Sequence, residues 1–201
     1  MTPATIYLKE SGSNGLVEAS LFDDVTDDHL AMWAATWCPA MAKHCAGRPL
    51  RNSPEDGHWN WQRKAAEWRP LLGYHAFAIV CGGELQGLML ASDLKFARLQ
   101  GQTGKPLVYI VYLATAPWNR PELKTPPRYR GVGTVFMAAA IQLSMDMDYR
   151  GRIGLHSLPA AEPFYLRCGM TPIGRDLTCQ KLMYFEMTEK QARLFREERR
   201  A

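Results

Sequence analysis

No stretch of this chain approaches the ~20 consecutive apolar residues that a membrane helix needs, so a membrane span is not expected. The segment MTPATIYLKESGSNG at its start lacks the charged-then-apolar pattern of an export signal, which makes a cytoplasmic protein the expectation. The five cysteines (38, 45, 81, 168 and 179) are odd in number and form no Cys-x-x-Cys, so reduced thiols are expected rather than a disulfide framework or a zinc site. The histidines at 29, 44, 58, 75 and 156 show no His-x-x-x-His spacing. Cys38, His44 and Cys45 lie close together but lack a second ligand pair, and no metal is expected. Excess charge of either sign is also scarce. A net +4 suits an anionic small ligand and argues against nucleic acid.

What is present is an ordinary globular composition, 47% hydrophobic and 22% charged. The 201 residues suffice for one domain with a sizeable core, taken as 1–201. Residues 1–15 read as an irregular lead-in and 188–201 as a terminal helix capped by Thr188. Leu16–Phe22 is a candidate strand. Thr26 followed by Asp27 and Asp28 marks a helix start, and Pro39 should end that helix. A basic loop, AGRPLRN, separates it from a second helix start at Ser53-Pro54-Glu55-Asp56. Trp61, Ala65 and Trp68 share one face of that second helix.

The period then shifts from helical to extended. YHAFAIVC and ELQGLMLASDLKF flank Gly82-Gly83, a hairpin signal. LVYIVYLATA (107–116) is a near-continuous apolar run, as in a strand buried on both faces. The proline-rich PWNRPELKTPP reads as a loop. A long helix follows from about 131 and ends near Arg150-Gly151. RIGLHSL, PAAEPFYLRCGM and KLMYFEMT then read as strand, short helix and strand. This order implies one mixed α/β sheet.

The stretch RYRGVGTVFMAAAIQL combines Arg128, Arg130, Gly131 and Gly133 at the mouth of an apolar helix. The first N–H groups of a helix have no intrahelical partner, and the helix dipole makes that end positive. Glycines let an anion approach those N–H groups without a Cβ in the way. The site suits phosphate or pyrophosphate; read on these residues alone, a plain turn with surface arginines serves as well. A P-loop is absent, and Phe136 stands where a dinucleotide fingerprint needs its third glycine.

Leu113-Ala-Thr115-Ala-Pro117, followed by Arg128-Tyr-Arg-Gly131-Val-Gly133, resembles motif A of the GCN5-related N-acetyltransferases, the GNAT superfamily. Phe164-Tyr165-Leu-Arg-Cys-Gly169-Met170 resembles that family's later Phe-Tyr-x-x-x-Gly-Phe segment. The match covers about residues 75–187. It implies a mixed, mostly antiparallel central sheet flanked by helices, with splayed fourth and fifth strands. Acetyl-CoA would enter between those strands as cosubstrate. Its pantetheine arm would bond strand backbone around Leu113 and Thr115, and its pyrophosphate would sit on the Arg128–Thr134 turn, including Arg130, Gly131, Val132 and Gly133. Two departures stand out. Residues 118–127 are inserted between the two halves of motif A, and Leu158 replaces a frequent asparagine, with Ser157 beside it as a substitute polar contact.

The resemblance implies acetyl transfer to an amine. A backbone N–H near Thr115 would bind the oxyanion, and Tyr165 would protonate the departing thiolate. The base is open. The fourth strand has no acid, and His156 is the main candidate because its ordinary pKa is ~6.5. Asp93, Glu84, Glu162 and a water chain are weaker alternatives. Trp59 and Trp118 are candidates for an acceptor pocket. The expected acceptor is a primary amine of a small molecule or peptide, and a homodimer stays open. The alternatives are a protein or aminoacyl-tRNA acetyltransferase and a non-catalytic acyl-CoA-binding module.

Overall fold

A computed structural model of the chain describes residues 2–13, 15–46 and 53–199. The expected loop at 47–52 therefore lies outside the described residues. The strands are β1 (Ala4–Glu10), β2 (Leu16–Phe22), β3 (Tyr74–Cys81), β4 (Glu84–Phe96), β5 (Pro106–Thr115), β6 (Tyr129–Arg130), β7 (Ile153–Ser157), β8 (Thr171–Asp176) and β9 (Leu182–Met187). The helices are α1 (Asp27–Met32), α2 (Cys38–Cys45), α3 (Trp61–Trp68), α4 (Val132–Asp146), α5 (Glu162–Arg167) and α6 (Glu189–Glu197). The strands form one mixed sheet in the order β6-β1-β2-β3-β4-β5-β7-β9-β8. Two compact units divide the chain. The first comprises residues 1–89 and 113–135, the second 90–112 and 136–201. Among the described residues, no helix is long and apolar enough to cross a membrane.

In the first unit, the expected irregular lead-in is instead strand β1, paired antiparallel with β2. The reason is alternation: Ile6 and Leu8 share one face, Leu8 is fully buried, and Tyr7 and Lys9 face out. Burial of such a leucine is worth about 1.5–3 kcal/mol, and pairing with β2 adds to it. Pro39 does not end the first helix. A turn of π-helix, Trp33–Trp37, joins α1 to α2, with the Cys38 N–H donating to the Trp33 carbonyl. The hydrogen-bond register therefore changes just before proline, where the missing N–H would otherwise break it. The second helix starts later than Ser53. Gly57 and Trp59 donate to the carbonyls of Pro54 and Asp56 in a turn, and Asn60 caps α3 by accepting from the Arg63 N–H at 2.9 Å. The Trp61–Ala65–Trp68 stripe is buried as its spacing implies. Gly82 and Gly83, at φ 59° and 75°, make the two-residue β3–β4 turn that only left-handed positions allow.

In the second unit, β5 runs parallel to β7. The register pairs Val108–Ile110 with Ile153–Leu155 and stops there. His156 and Ser157 pair with Tyr184 and Met183 of β9 instead. The fourth and fifth strands of the family pattern are β5 and β7, and this is their splay. The unexpected β8 completes a hairpin with β9. Helix α4 ends at Asp146 rather than near Arg150, because the Tyr149 N–H reaches back to the Ser144 carbonyl at 2.7 Å and closes the helix early. Helix α6 carries the expected Thr188 cap, completed by Gln191 into a capping box.

Candidate active site

In the first unit, the carbonyl of Gly131 accepts the first hydrogen bond of α4, from the Val135 N–H at 2.9 Å. The N–H groups of Val132, Gly133 and Thr134 therefore precede any intrahelical bond. Gly131 sits at φ 99°, a conformation that side chains resist, and a Cβ there would meet nothing within 4 Å. The glycine is needed for the turn itself and leaves open the space a side chain would fill. Arg130 is exposed on β6, opposite Lys9 of β1. Arg128 is already engaged. Its guanidinium pairs with Glu84 and lies 5.0 Å from the centroid of the Tyr129 ring. Its positive charge at the turn is partly neutralised, so the backbone amides and Arg130 are the freer anion-binding groups.

The insertion is pinched shut at its base. The Arg128 N–H donates to the Trp118 carbonyl at 2.8 Å, and the Tyr129 N–H to Asn119 Oδ1 at 3.0 Å. The end of β5 thus connects to the glycine turn almost as if residues 120–127 were absent. Gln86, fully buried on β4, organises this junction. Its Oε1 accepts from Trp118 Nε1 and Asn119 Nδ2, both at 2.9 Å. The Gln86 carbonyl accepts the Ala116 N–H at 2.9 Å. Arg120 donates from Nε to the Thr115 carbonyl at 2.8 Å and forks onto Asp56 with two bonds of 2.7 Å. Thr115 and Leu113 are both half-buried, and the Thr115 carbonyl is already an acceptor within the protein. Trp118 serves this junction through its indole N–H. Trp59 packs edge-on against Trp61 at 6.4 Å.

In the second unit, Tyr165 stands on α5 with its ring buried, 5.9 Å from Phe185 of β9. Among the described residues its hydroxyl has no hydrogen-bond partner. Burial pushes its pKa well above the usual phenol value, so it keeps its proton. Ser157 is buried at the end of β7, and its hydroxyl donates to the Leu158 carbonyl at 2.8 Å.

His156 is differently placed. The Tyr109 hydroxyl bonds its Nδ1 at 2.6 Å, and Asp176 Oδ2 bonds its Nε2 at 3.0 Å. Asp176 also accepts from Arg98 Nη1 at 2.5 Å, from the Thr178 N–H at 2.9 Å and from the Thr178 hydroxyl at 2.6 Å. The Thr178 and Arg98 donors hold its carboxyl far below the ordinary range. Burial lowers the His156 pKa, against the opposing pull of Asp176, and a neutral ring with its proton on Nε2 satisfies both neighbours. Leu155 pairs with Phe185, and His156 with Tyr184. Side chains alternate along a strand, so Tyr165 and His156 occupy opposite faces of the β7–β9 pair. The structure does not bring the two candidates together. Glu162 and Glu84, the weaker candidates, face Arg175 and Arg128.

Sequence reasoning missed Gln86, Asn119, Arg120 and Asp56. A glutamine inside an apolar strand was the one available signal; the Asp56–Arg120 pair spans 64 positions and leaves none. No protein-family model and no curated relative matches the sequence. Solved structures do match in fold. A GNAT-family acetyltransferase from Listeria monocytogenes superposes with a TM-score of 0.54 at 13% identity, over 90% of this chain and 99% of that one. PaiA N-acetyltransferase from Thermoplasma acidophilum, in complex with coenzyme A, gives 0.52 at 10% identity, over 85% and 98%. A bacterial toxin gives 0.51 at 13% identity, over 97% and 96%. With its parallel β5–β7 splay inside a mostly antiparallel sheet, the chain has the fold of the GCN5-related N-acetyltransferases.

Proposed function

We propose that this protein is an acetyl-CoA-dependent N-acetyltransferase acting on a primary amine of a small molecule or peptide. The observation that carries this reading is the start of α4, where three successive amides precede the first intrahelical bond, behind an exposed, left-handed Gly131 and next to exposed Arg130. Those amides bind the diphosphate of coenzyme A, as helix N-termini bind anions generally. The backbone of Leu113 and the N–H of Thr115 hold the pantetheine arm and the oxyanion. The presence of coenzyme A in the Thermoplasma relative supports the same cosubstrate here.

The chemistry follows. The neutral amine attacks the thioester carbon, the C–S bond breaks, and the thiolate takes the Tyr165 proton. Tyr165 suits this step because burial keeps it protonated and its hydroxyl has no competing protein acceptor among the described residues. The ammonium proton leaves to water, and a proton from water restores the Tyr165 hydroxyl. His156 does not take it, since both ring nitrogens are engaged, and it serves to position Tyr109 instead.

Thiol release from acetyl-CoA across a panel of small amines, peptides, proteins and aminoacyl-tRNA tests the proposal. Turnover with small amines or peptides is expected. Turnover only on protein or tRNA would shift the acceptor class. Coenzyme A binding without turnover on any acceptor would leave a binding module.

A further inference from the structure

We infer that the second unit carries a separate binding site for a small phosphorylated molecule, centred on Arg152. A cavity of about 430 Å³ opens there, lined by Gln102, Lys105, Arg152, Lys190 and Arg193 together with the start of α6. Arg152 is only 7% exposed, yet just its Nε is used, donating to the Pro106 carbonyl at 3.0 Å. Among the described residues no carboxylate lies within ion-pair distance of it. Its terminal nitrogens have no hydrogen-bond partner among the described residues and are not sealed from solvent, so they line the cavity, and their fork fits phosphate oxygens. Burial and the neighbouring Arg150 lower its pKa, the direction expected of a cation that is under-compensated.

The rest of the cavity is built for the same charge. Four cations line it; Arg193 lies 3.8 Å from Glu197 and the one lining acid, Glu189, lies 3.6 Å from Arg150, so Lys105, Arg152 and Lys190 have no ion pair among the described residues. A single carboxylate ligand would leave most of that charge unmatched, whereas a phosphate dianion or diphosphate matches it. The Thr188–Gln191 capping box holds the first turn of α6, so its next amides point outward from an ordered end. The opposite wall is equally fixed. The buried Glu186 carboxylate accepts from the backbone N–H groups of Arg98 and Leu99 and from Gln102 Nε2, locking the 97–105 loop. The volume falls in the range of small-ligand sites. None of Leu113, Thr115, Gly131 and Tyr165 lines this cavity, so its residues are a different set from those proposed for acetyl transfer.

Calorimetric titration of the full chain with inorganic pyrophosphate, with and without saturating coenzyme A, tests the inference. One site that persists with coenzyme A present is expected. It should weaken at least ~10-fold in the surface double variant Lys105→Ala/Arg193→Ala and again in Arg152→Met, since charge-assisted bonds contribute on that scale. Absence of pyrophosphate binding, full competition by coenzyme A, or unchanged affinity in the surface double variant overturns it. Failure of coenzyme A to bind would instead count against the acetyltransferase reading and leave this result standing.

Discussion

Replacing Arg120 with alanine removes three hydrogen bonds at once, two to Asp56 and one to the Thr115 carbonyl. The two side chains of the pair are only 11% and 13% exposed, so Asp56 would be left as a nearly buried, unmatched carboxylate. Breaking such a pair from one side costs about 3–5 kcal/mol. For a chain of this length each kcal/mol moves Tm by about 2–4 °C, so thermal unfolding should shift down by roughly 6–20 °C. The double variant with Asp56→Ala should recover part of that loss, because no unmatched charge remains. Arg120→Lys keeps the charge but not the fork. It should raise KM for acetyl-CoA with a smaller Tm change, because the end of β5 loses its tether. An Arg120→Ala variant melting within about 1 °C of the parent, or strictly additive effects in the cycle, would refute the reasoning.

Three further outcomes are expected. Tyr165→Phe should lower kcat by ~10²-fold or more with coenzyme A affinity unchanged; unaltered kcat removes it as the acid. Gly154→Ala would place a Cβ 2.9 Å from the Tyr184 hydroxyl and 3.2 Å from Leu107, an overpacking worth about 1–3 kcal/mol in urea unfolding. Adding Tyr184→Phe should restore part of it. Stability should also fall as pH drops below ~6.5, because burial lowers the pKa of His29 and His156. Both are neutral when folded, and the Thr26 N–H donates to His29 Nδ1 at 3.1 Å. The unfolded chain binds protons first, so the loss begins at the unfolded value and ends below the folded one. Asp176, held low, contributes only at more acidic pH, below ~3.9. A flat urea midpoint between pH 7.5 and 5.5 would contradict this.

The sequence was most informative where local chemistry decides structure. Thr26 and Thr188 cap helices, Gly82-Gly83 turns a hairpin, and the apolar run at 107–116 is a central strand, each for reasons confined to a few residues. It misled where a local rule met a compensating device, as at Pro39, where a π-turn absorbs the break. It was silent where partners are distant. The glycine turn was legible, but the pairing of Arg128 with Glu84 was not, nor was the clasp of Arg120, Asp56 and Gln86 that closes the 118–127 insertion. His156 was found as a titratable residue, yet only the fold shows that Tyr109 and Asp176 occupy both its nitrogens.

The central claim is that amides at the start of α4 hold the diphosphate of coenzyme A. Parallel calorimetric titrations with coenzyme A and with pantetheine, which lacks the diphosphate, test it most directly. Coenzyme A should bind at one site, and pantetheine at least ~100-fold more weakly, as expected for the loss of two charge-assisted hydrogen bonds. Equal affinity for the two, or no binding of coenzyme A to folded protein, would contradict the account.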